Sequence, residues 1–192
     1  MKNIKLIITL GTLTLLPMIG TANPLTGEEK PAATSSKLDQ HDQTFLKHAA
    51  EMNMLQIELG KVAEKISTDP NIKKIGADLQ KDHSATMEKL ESLASSKGVT
   101  LPSELSAADR SMIQALEKKA GEKFDHEFLT LNAKEHEKAL KVFQNAIGRT
   151  KDSEIKSWAE QMVPKLQEHL NVAKSGLKME PVGEKKQHKS KY

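Results

Sequence analysis

The sequence predicts an all-α protein: a bundle of four long helices, with a long connection carrying a short extra helix between the second and third. Three observations lead to this prediction. Four long stretches repeat apolar residues at helical spacing, which is typical of amphipathic helices. Only 6 of the 192 residues are aromatic, and Ala, Leu, Lys and Glu are abundant, which favours helix over strand. Residues 99–121 separate the second stretch from the third.

The first two stretches are predicted to form a hairpin. Apolar side chains recur every seven residues through the first, at Leu38, Phe45, Met52, Leu59 and Ile66. This spacing predicts one buried seam. Asp69 and Pro70 then supply an N-cap and a first-turn proline for the second helix, whose apolar stripe stops before Gly98.

The second half begins with the connection, in which Ser106 is a predicted N-cap of the short helix. The third long helix is predicted to begin near Glu122 and to end at Gly148. Asp152 is the predicted cap of the fourth helix, which is expected to end at Gly176. Two hairpins joined by a connection long enough to cross the bundle follow a ferritin-like plan, while a simple up-and-down bundle stays open.

The two ends of the chain lie outside the predicted bundle, which covers residues 38–177. Lys2 and Lys5 begin a positively charged segment, an apolar run follows, and Ala22 is a small residue suited to cleavage. Residues 1–22 are therefore a predicted signal peptide, since the apolar run is shorter than the about 20 residues that span a bilayer. Residues 23–37 are a predicted flexible linker, and the lysine-rich residues 178–192 a disordered tail.

Composition excludes several classes of function. The chain has no cysteine, which rules out disulfides and thiolate chemistry. Residues 23–177 carry 22 lysines and arginines against 24 aspartates and glutamates. A nucleic-acid-binding domain would concentrate positive charge, so no nucleic-acid partner is expected. After removal of the signal peptide, no segment is apolar enough to span a membrane, and the predicted compartment is the periplasm.

Three histidines, His83, His136 and His169, lie on the apolar stripes of three different helices. At a rise of 1.5 Å per residue, their distances from the hairpin turns place all three near the middle of the bundle if the long connection crosses it from end to end. Gln56 and Glu58 lie at a similar depth on the first helix. Three neutral imidazoles and a carboxylate suit Zn²⁺, Cu²⁺ or Fe²⁺, which makes the three histidines and Glu58 candidate ligands of one ion. In the alternative interpretation each histidine donates to a neighbouring acceptor and fixes helix register.

Catalytic patterns are absent from the sequence. The Glu-x-x-His motif of di-iron bundles would need glutamate at Gln80, Ala133 or Leu166. No spacing supports a Ser-His-Asp triad or a pair of catalytic carboxylates. The sequence therefore favours a protein that is not an enzyme.

The chain resembles the bacterial family known as domain of unknown function 4142, over about residues 38 to 177. The resemblance rests on Phe45-Leu46, Ala49-Ala50, Asn53, Ile57 to Lys61, Asp82-His83, Gly98 to Pro102, Phe124-Asp125, Phe128-Leu129, His136, Trp158-Ala159, Pro164 to Leu166 and His169-Leu170. Members are often labelled as predicted outer membrane proteins and assigned a ferritin-like fold. The resemblance implies an envelope protein with a ferritin-like bundle and supplies no established activity. Peripheral association with the outer membrane stays open beside free residence in the periplasm.

The function favoured by these features is a non-enzymatic one: an exported helical-bundle protein that binds an envelope protein or surface, in envelope maintenance or stress. Two alternatives stay open. One is a metal-binding or metal-dependent redox protein that uses His83, His136 and His169. The other is an envelope tether, whose lysine-rich tail touches anionic lipid or polymer.

Overall fold

The computed structural model describes residues 38–179, which form five α-helices and contain no strand. The helices are α1 (Gln40–Ile66), α2 (Pro70–Ser96), α3 (Ala107–Glu117), α4 (Gly121–Arg149) and α5 (Ser153–Met179). The prediction of an all-α fold is confirmed. Four of the helices have 27 to 29 residues, and α3 has 11. Within residues 38–179, no helix combines the length and the apolar composition needed to cross a membrane.

Three predicted segments fall on the ends of the chain. The signal peptide (1–22) and the linker (23–37) lie outside the described residues. The same holds for the predicted tail (178–192), except that residues 178 and 179 are the last two residues of α5.

Side-chain caps explain where most helices begin. The Asp69 carboxylate accepts the backbone N–H of Asn71 at 2.7 Å, with Pro70 in the first turn of α2. Ser106 Oγ accepts the N–H of Asp109 at 3.0 Å, and Asp152 Oδ1 accepts that of Glu154 at 3.0 Å. Each cap satisfies an N–H that has no partner inside its helix.

The predicted ends of two helices are too early. α4 continues to Arg149 and α5 to Met179, past Gly148 and Gly176. A glycine ends a helix by adopting a positive φ, as Gly98 does after α2 with φ +67°. Neither Gly148 nor Gly176 has a positive φ, so the helix continues through both.

Two hydrogen bonds, one buried and one partly buried, define the path of the chain. Ser67 Oγ, in the turn after α1, donates to Asp125 Oδ1 near the start of α4 at 2.6 Å. At the opposite end, Thr150 Oγ1 donates to Asp42 Oδ2 at 2.9 Å. The start of α4 thus lies beside the end of α1, and α1 and α4 are antiparallel. Residues 97–120 therefore carry the chain from one end of the helices to the other, with α3 packed on α1 and α4.

The interior has two apolar clusters with a polar layer between them along α1, α2 and α4. Phe45, Phe143 and Trp158 pack in one cluster, with ring centroids 5.1 to 5.9 Å apart. Phe124 and Phe128 stack in the other. The buried side chains of the polar layer are Asn53, Gln56, His83, Asn132, Glu135 and His136. The candidate site lies in this layer.

Candidate metal centre

The structure brings the three core histidines together. One nitrogen from each of His83, His136 and His169 lies within 4.8 Å of one from each of the others. The ring centroids are 5.2 to 5.5 Å apart. The rings come from α2, α4 and α5, so three separate helices meet at one point. The prediction that the three histidines share one depth in the core is confirmed.

Each ring uses one nitrogen in a hydrogen bond that fixes its tautomer. His136 Nδ1 lies 2.9 Å from the carbonyl oxygen of Asn132, which can only accept, so this nitrogen carries the proton. His169 Nε2 lies 3.1 Å from Asp82 Oδ2 and donates to that carboxylate. His83 Nδ1 lies 2.9 Å from Asn53 Oδ1 and donates to it.

The orientation of the Asn53 amide is itself fixed. Its Nδ2 donates to the carbonyl oxygen of Ala49 at 2.8 Å. The amide oxygen is therefore the atom that faces His83, and it accepts the proton on Nδ1.

The other nitrogen of each ring is buried and accepts no hydrogen bond from the described residues. His83 Nε2, His136 Nε2 and His169 Nδ1 have no hydrogen-bond partner among the described residues. In a neutral imidazole the second nitrogen is an acceptor, so three lone pairs are left without a proton donor in one small space. A buried polar atom without a partner is costly, and three of them together indicate an absent ligand or water.

A cavity of about 30 Å³ lies at the histidines, and all three line it. This volume is enough for one or two water molecules or one metal ion. Three charged side chains also reach the cavity: Asp82, Glu135 and Lys165. The apolar part of the lining includes Phe143 and Met162.

Burial keeps two of the rings uncharged. Desolvation lowers the pKa of His136 to about 4, helped by repulsion from His169 and opposed by its bond to Asn132. Desolvation also holds the pKa of His83 well below its usual value, with repulsion from His136, His169 and Lys165 adding to the effect. Both rings are therefore neutral at pH 7, which is the form that binds metal.

Glu58, the fourth candidate ligand, is not brought to the histidines. Its Oε1 lies 2.6 Å from Lys61 Nζ, and its side chain is 39% exposed. It does not line the cavity, whereas Gln56, two residues earlier, does. The carboxylates that line the cavity instead are those of Asp82 and Glu135.

Several site residues were not predicted from the sequence. Asp82, Asn53 and Asn132 are the acceptors that orient the three rings. One signal was present: Asn132 precedes His136 by four residues, which is one helical turn. Asp82 gave no such signal, because its partner His169 lies on another helix.

The fold and site define an all-helical protein with a buried cluster of three histidines. Residues 27–175 match the family described as a domain of unknown function, DUF4142, and the chain belongs to this family. This confirms the family resemblance found in the sequence. None of the curated proteins compared with the chain matches it.

Two solved structures are similar in fold. A DUF305 fragment from Deinococcus radiodurans aligns with a TM-score of 0.67 and 14% identity, covering 74% of this chain and 99% of the fragment. A conserved hypothetical protein from Mycobacterium tuberculosis aligns with a TM-score of 0.61 and 14% identity, covering 75% of this chain and 95% of its own. At this identity the similarity concerns the fold alone.

Proposed function

We propose that this protein binds one divalent transition-metal ion through His83, His136 and His169, inside a ferritin-like four-helix bundle. The observation that carries the proposal is the set of three buried imidazole nitrogens without partners, one on each ring. Their rings surround a cavity large enough for an ion.

The alternative, in which the histidines only fix helix register, accounts for only one of the two nitrogens of each ring. It explains the bonds to Asn53, Asn132 and Asp82. It does not explain why the second nitrogen of every ring faces no donor. Metal-binding histidines typically donate one N–H to a carboxylate or carbonyl and bind the ion with the other nitrogen. That pattern accounts for both nitrogens.

The ligand chemistry favours Zn²⁺, Cu²⁺ or Fe²⁺, since imidazole suits these ions and the chain has no cysteine. In a tetrahedral zinc site with Zn–N bonds of 2.0–2.1 Å, the nitrogens are about 3.3 Å apart. One nitrogen from each ring lies within 4.8 Å of one from each of the others, so the rings would move inward by at most about 1 Å on binding. Three protein ligands leave a fourth position open for water or another small ligand.

The proposal includes export. Residues 1–22 have the charged start, apolar run and small residue at the cleavage point that are typical of a signal peptide. In the periplasm or at the outer membrane, a metal-binding bundle fits the predicted non-enzymatic role in envelope maintenance or stress. The tether alternative depends on the lysine-rich tail, which lies outside the described residues except for residues 178 and 179, and it stays a prediction.

Metal uptake by the purified, metal-free chain tests the proposal. Calorimetry with Zn²⁺ and with Cu²⁺ should give about one ion per chain for at least one of them. The bound ion should also raise the melting temperature, because the unfolded chain lacks the assembled site. His169→Ala, at the least buried of the three rings, should remove the stoichiometric uptake. His48→Ala changes a histidine outside the cluster and serves as the matched control.

Either of two results would overturn the proposal. Uptake well below one ion per chain, or uptake that survives in the His83→Ala, His169→Ala double variant, would mean that the cluster is a structural hydrogen-bonding device. Circular dichroism of each variant establishes that the helices are intact before uptake is compared.

A further inference from the structure

A large groove with an acidic lining lies on the surface where α2, the start of α4 and α5 come together. Its volume is about 1400 Å³. Six carboxylates line it, against the three lysines Lys74, Lys119 and Lys123. The carboxylates belong to Asp69, Asp78, Glu122, Asp125, Glu127 and Glu168. A concave surface with an excess of one charge concentrates ions of the opposite charge.

The groove and the histidine cavity are lined by neighbouring residues on α2 and on α5. On α5, Pro164 and Glu168 line the groove, while their sequence neighbours Lys165 and His169 line the cavity. On α2, Asp78 of the groove precedes Asp82 of the cavity by four residues, or one helical turn. Cations drawn into the groove are therefore brought beside the histidines.

The exposure of the side chains in the cluster increases toward α2 and α5. His136 on α4 is 1% exposed and His83 is 6% exposed. The side chain of His169 is 11% exposed, and that of its partner Asp82 is 36% exposed. The α1 and α4 walls of the cavity consist mainly of buried side chains, such as Gln56 and Phe143. The cavity thus opens between α2 and α5.

We infer that the acidic groove between α2 and α5 is the route by which a divalent cation reaches the three histidines. The inference rests on the proposed function, because it assigns the path to that site. Two independent features support it. The groove carries excess negative charge, and the neighbouring cavity is lined by three histidines whose buried nitrogens lack partners among the described residues.

Lys165 allows a second test, in which the expected change in uptake rate has the opposite sign. Its side chain is exposed, and it lines the cavity directly after Pro164, which lines the groove. An ammonium at this point repels an incoming cation, so it should slow the last step of entry. Removing the charge of Lys165 should therefore speed metal uptake, whereas removing groove carboxylates should slow it.

The experiment measures the rate of Cu²⁺ uptake by stopped flow. Trp158, the only tryptophan of the chain, supplies the signal, because Cu²⁺ quenches tryptophan fluorescence. Its ring centroid lies 5.4 Å from that of Phe143, which lines the cavity. The test variant is the pair Asp78→Asn, Glu168→Gln. The matched control is Glu88→Gln, Glu160→Gln, which removes the same charge from exposed positions of the same two helices outside the groove.

At low salt the groove pair should slow uptake about threefold or more relative to the control pair, since charged surfaces change association rates by about 10-fold to 1000-fold in total. Lys165→Met should speed uptake, and Lys174→Met, an exposed lysine on the same helix paired with Glu137, should not. These differences should shrink in 1 M salt, where the screening length is about 3 Å. The substituted side chains are on the surface, so the folded state should be retained.

Equal slowing by the groove pair and the control pair, with one ion still bound per chain, would overturn the entry route alone. Unchanged uptake in Lys165→Met would do the same. If the unmodified chain takes up no Cu²⁺ at equilibrium, the proposed function fails, and the entry route fails with it.

Discussion

Asp82 on α2 and His169 on α5 are 87 residues apart in the chain, and Asp82 Oδ2 accepts the Nε2–H of His169 at 3.1 Å. This is the one ring of the cluster that is oriented by a carboxylate, since His83 and His136 donate to an amide and a carbonyl oxygen. The bond leaves Nδ1 of His169 as the nitrogen for a ligand. Carboxylate partners of this kind commonly orient metal-binding histidines.

Asp82→Asn should therefore weaken metal binding without unfolding the protein. The substitution replaces the charged carboxylate that orients and polarises His169 with a neutral amide. Loss of such a partner typically costs about 10- to 100-fold in metal affinity. Competition titration with a chelator of known affinity measures the change in Kd. Glu88→Gln, at an exposed position of the same helix, is the control and should leave Kd within about twofold. An unchanged Kd in Asp82→Asn would show that Asp82 does not orient a ligand.

The metal-free protein should lose stability as pH falls below about 6.5. His83 and His136 have lower pKa values folded than unfolded, so the unfolded chain binds more protons in this range, and acid favours unfolding. With a folded pKa of about 4, His136 should account for about 3 kcal/mol of the free energy of unfolding by pH 4. Above pH 6.5 this contribution to the free energy of unfolding vanishes, because the ring is neutral in the folded and in the unfolded chain.

Urea unfolding of the metal-free chain between pH 7.5 and pH 4.5 measures this effect. His136→Leu removes the titrating ring, so its stability should fall less steeply with pH than that of the unmodified chain. Carboxylates titrate in both proteins, and the comparison between them isolates the histidine. Parallel pH profiles for the two proteins would contradict the low pKa of His136.

Periodicity was enough to predict the helices and the depth of the histidines. His136 lies seven residues from both Leu129 and Phe143, and a seven-residue spacing keeps side chains on one helix face. The hairpin turns at Asp69 and Lys151 fixed the depth, because a helix rises 1.5 Å per residue. These two rules together place three side chains at one point with no knowledge of the contacts.

Contacts between helices could not be predicted in the same way. Glu58 was a candidate because of its depth, but it follows Gln56 by two residues, and that offset turns a side chain about 200° around the helix axis. Gln56 is buried at the cavity, and Glu58 pairs with Lys61 at the surface. Asp82 points about 100° away from its neighbour His83, and this offset directs it to His169 on another helix.

The export prediction can be checked directly. Protein purified from the envelope of the source cells should begin at Asn23, because signal peptidase would cleave after Ala22. Mass spectrometry of the intact chain gives its N-terminus, and fractionation should place it in the periplasm or with the outer membrane. A cytoplasmic protein that retains residues 2–22 would show that this segment is not a cleaved signal.

A close contact between α1 and α2 gives the last prediction. A Cβ atom on Gly60 would lie 2.5 Å from the carbonyl oxygen of Gly76, and one on Gly76 would lie 2.7 Å from that of Gly60. Both obstacles are backbone atoms, so α1 and α2 would have to move apart. Gly60→Ala should destabilise the protein by about 1–3 kcal/mol, the usual cost of overpacking a core. The gain in helix propensity, about 1 kcal/mol, offsets only part of this cost.

Gly148→Ala is the matched control for this prediction. Gly148 also lies inside a helix, but a Cβ there meets nothing within 4 Å. The substitution should raise the free energy of unfolding by about 0.5–1 kcal/mol, because alanine loses less backbone entropy on folding. Urea unfolding of both variants should therefore give changes of opposite sign. If Gly60→Ala were as stabilising as Gly148→Ala, the two helices could not be packed with their backbones in contact at this point.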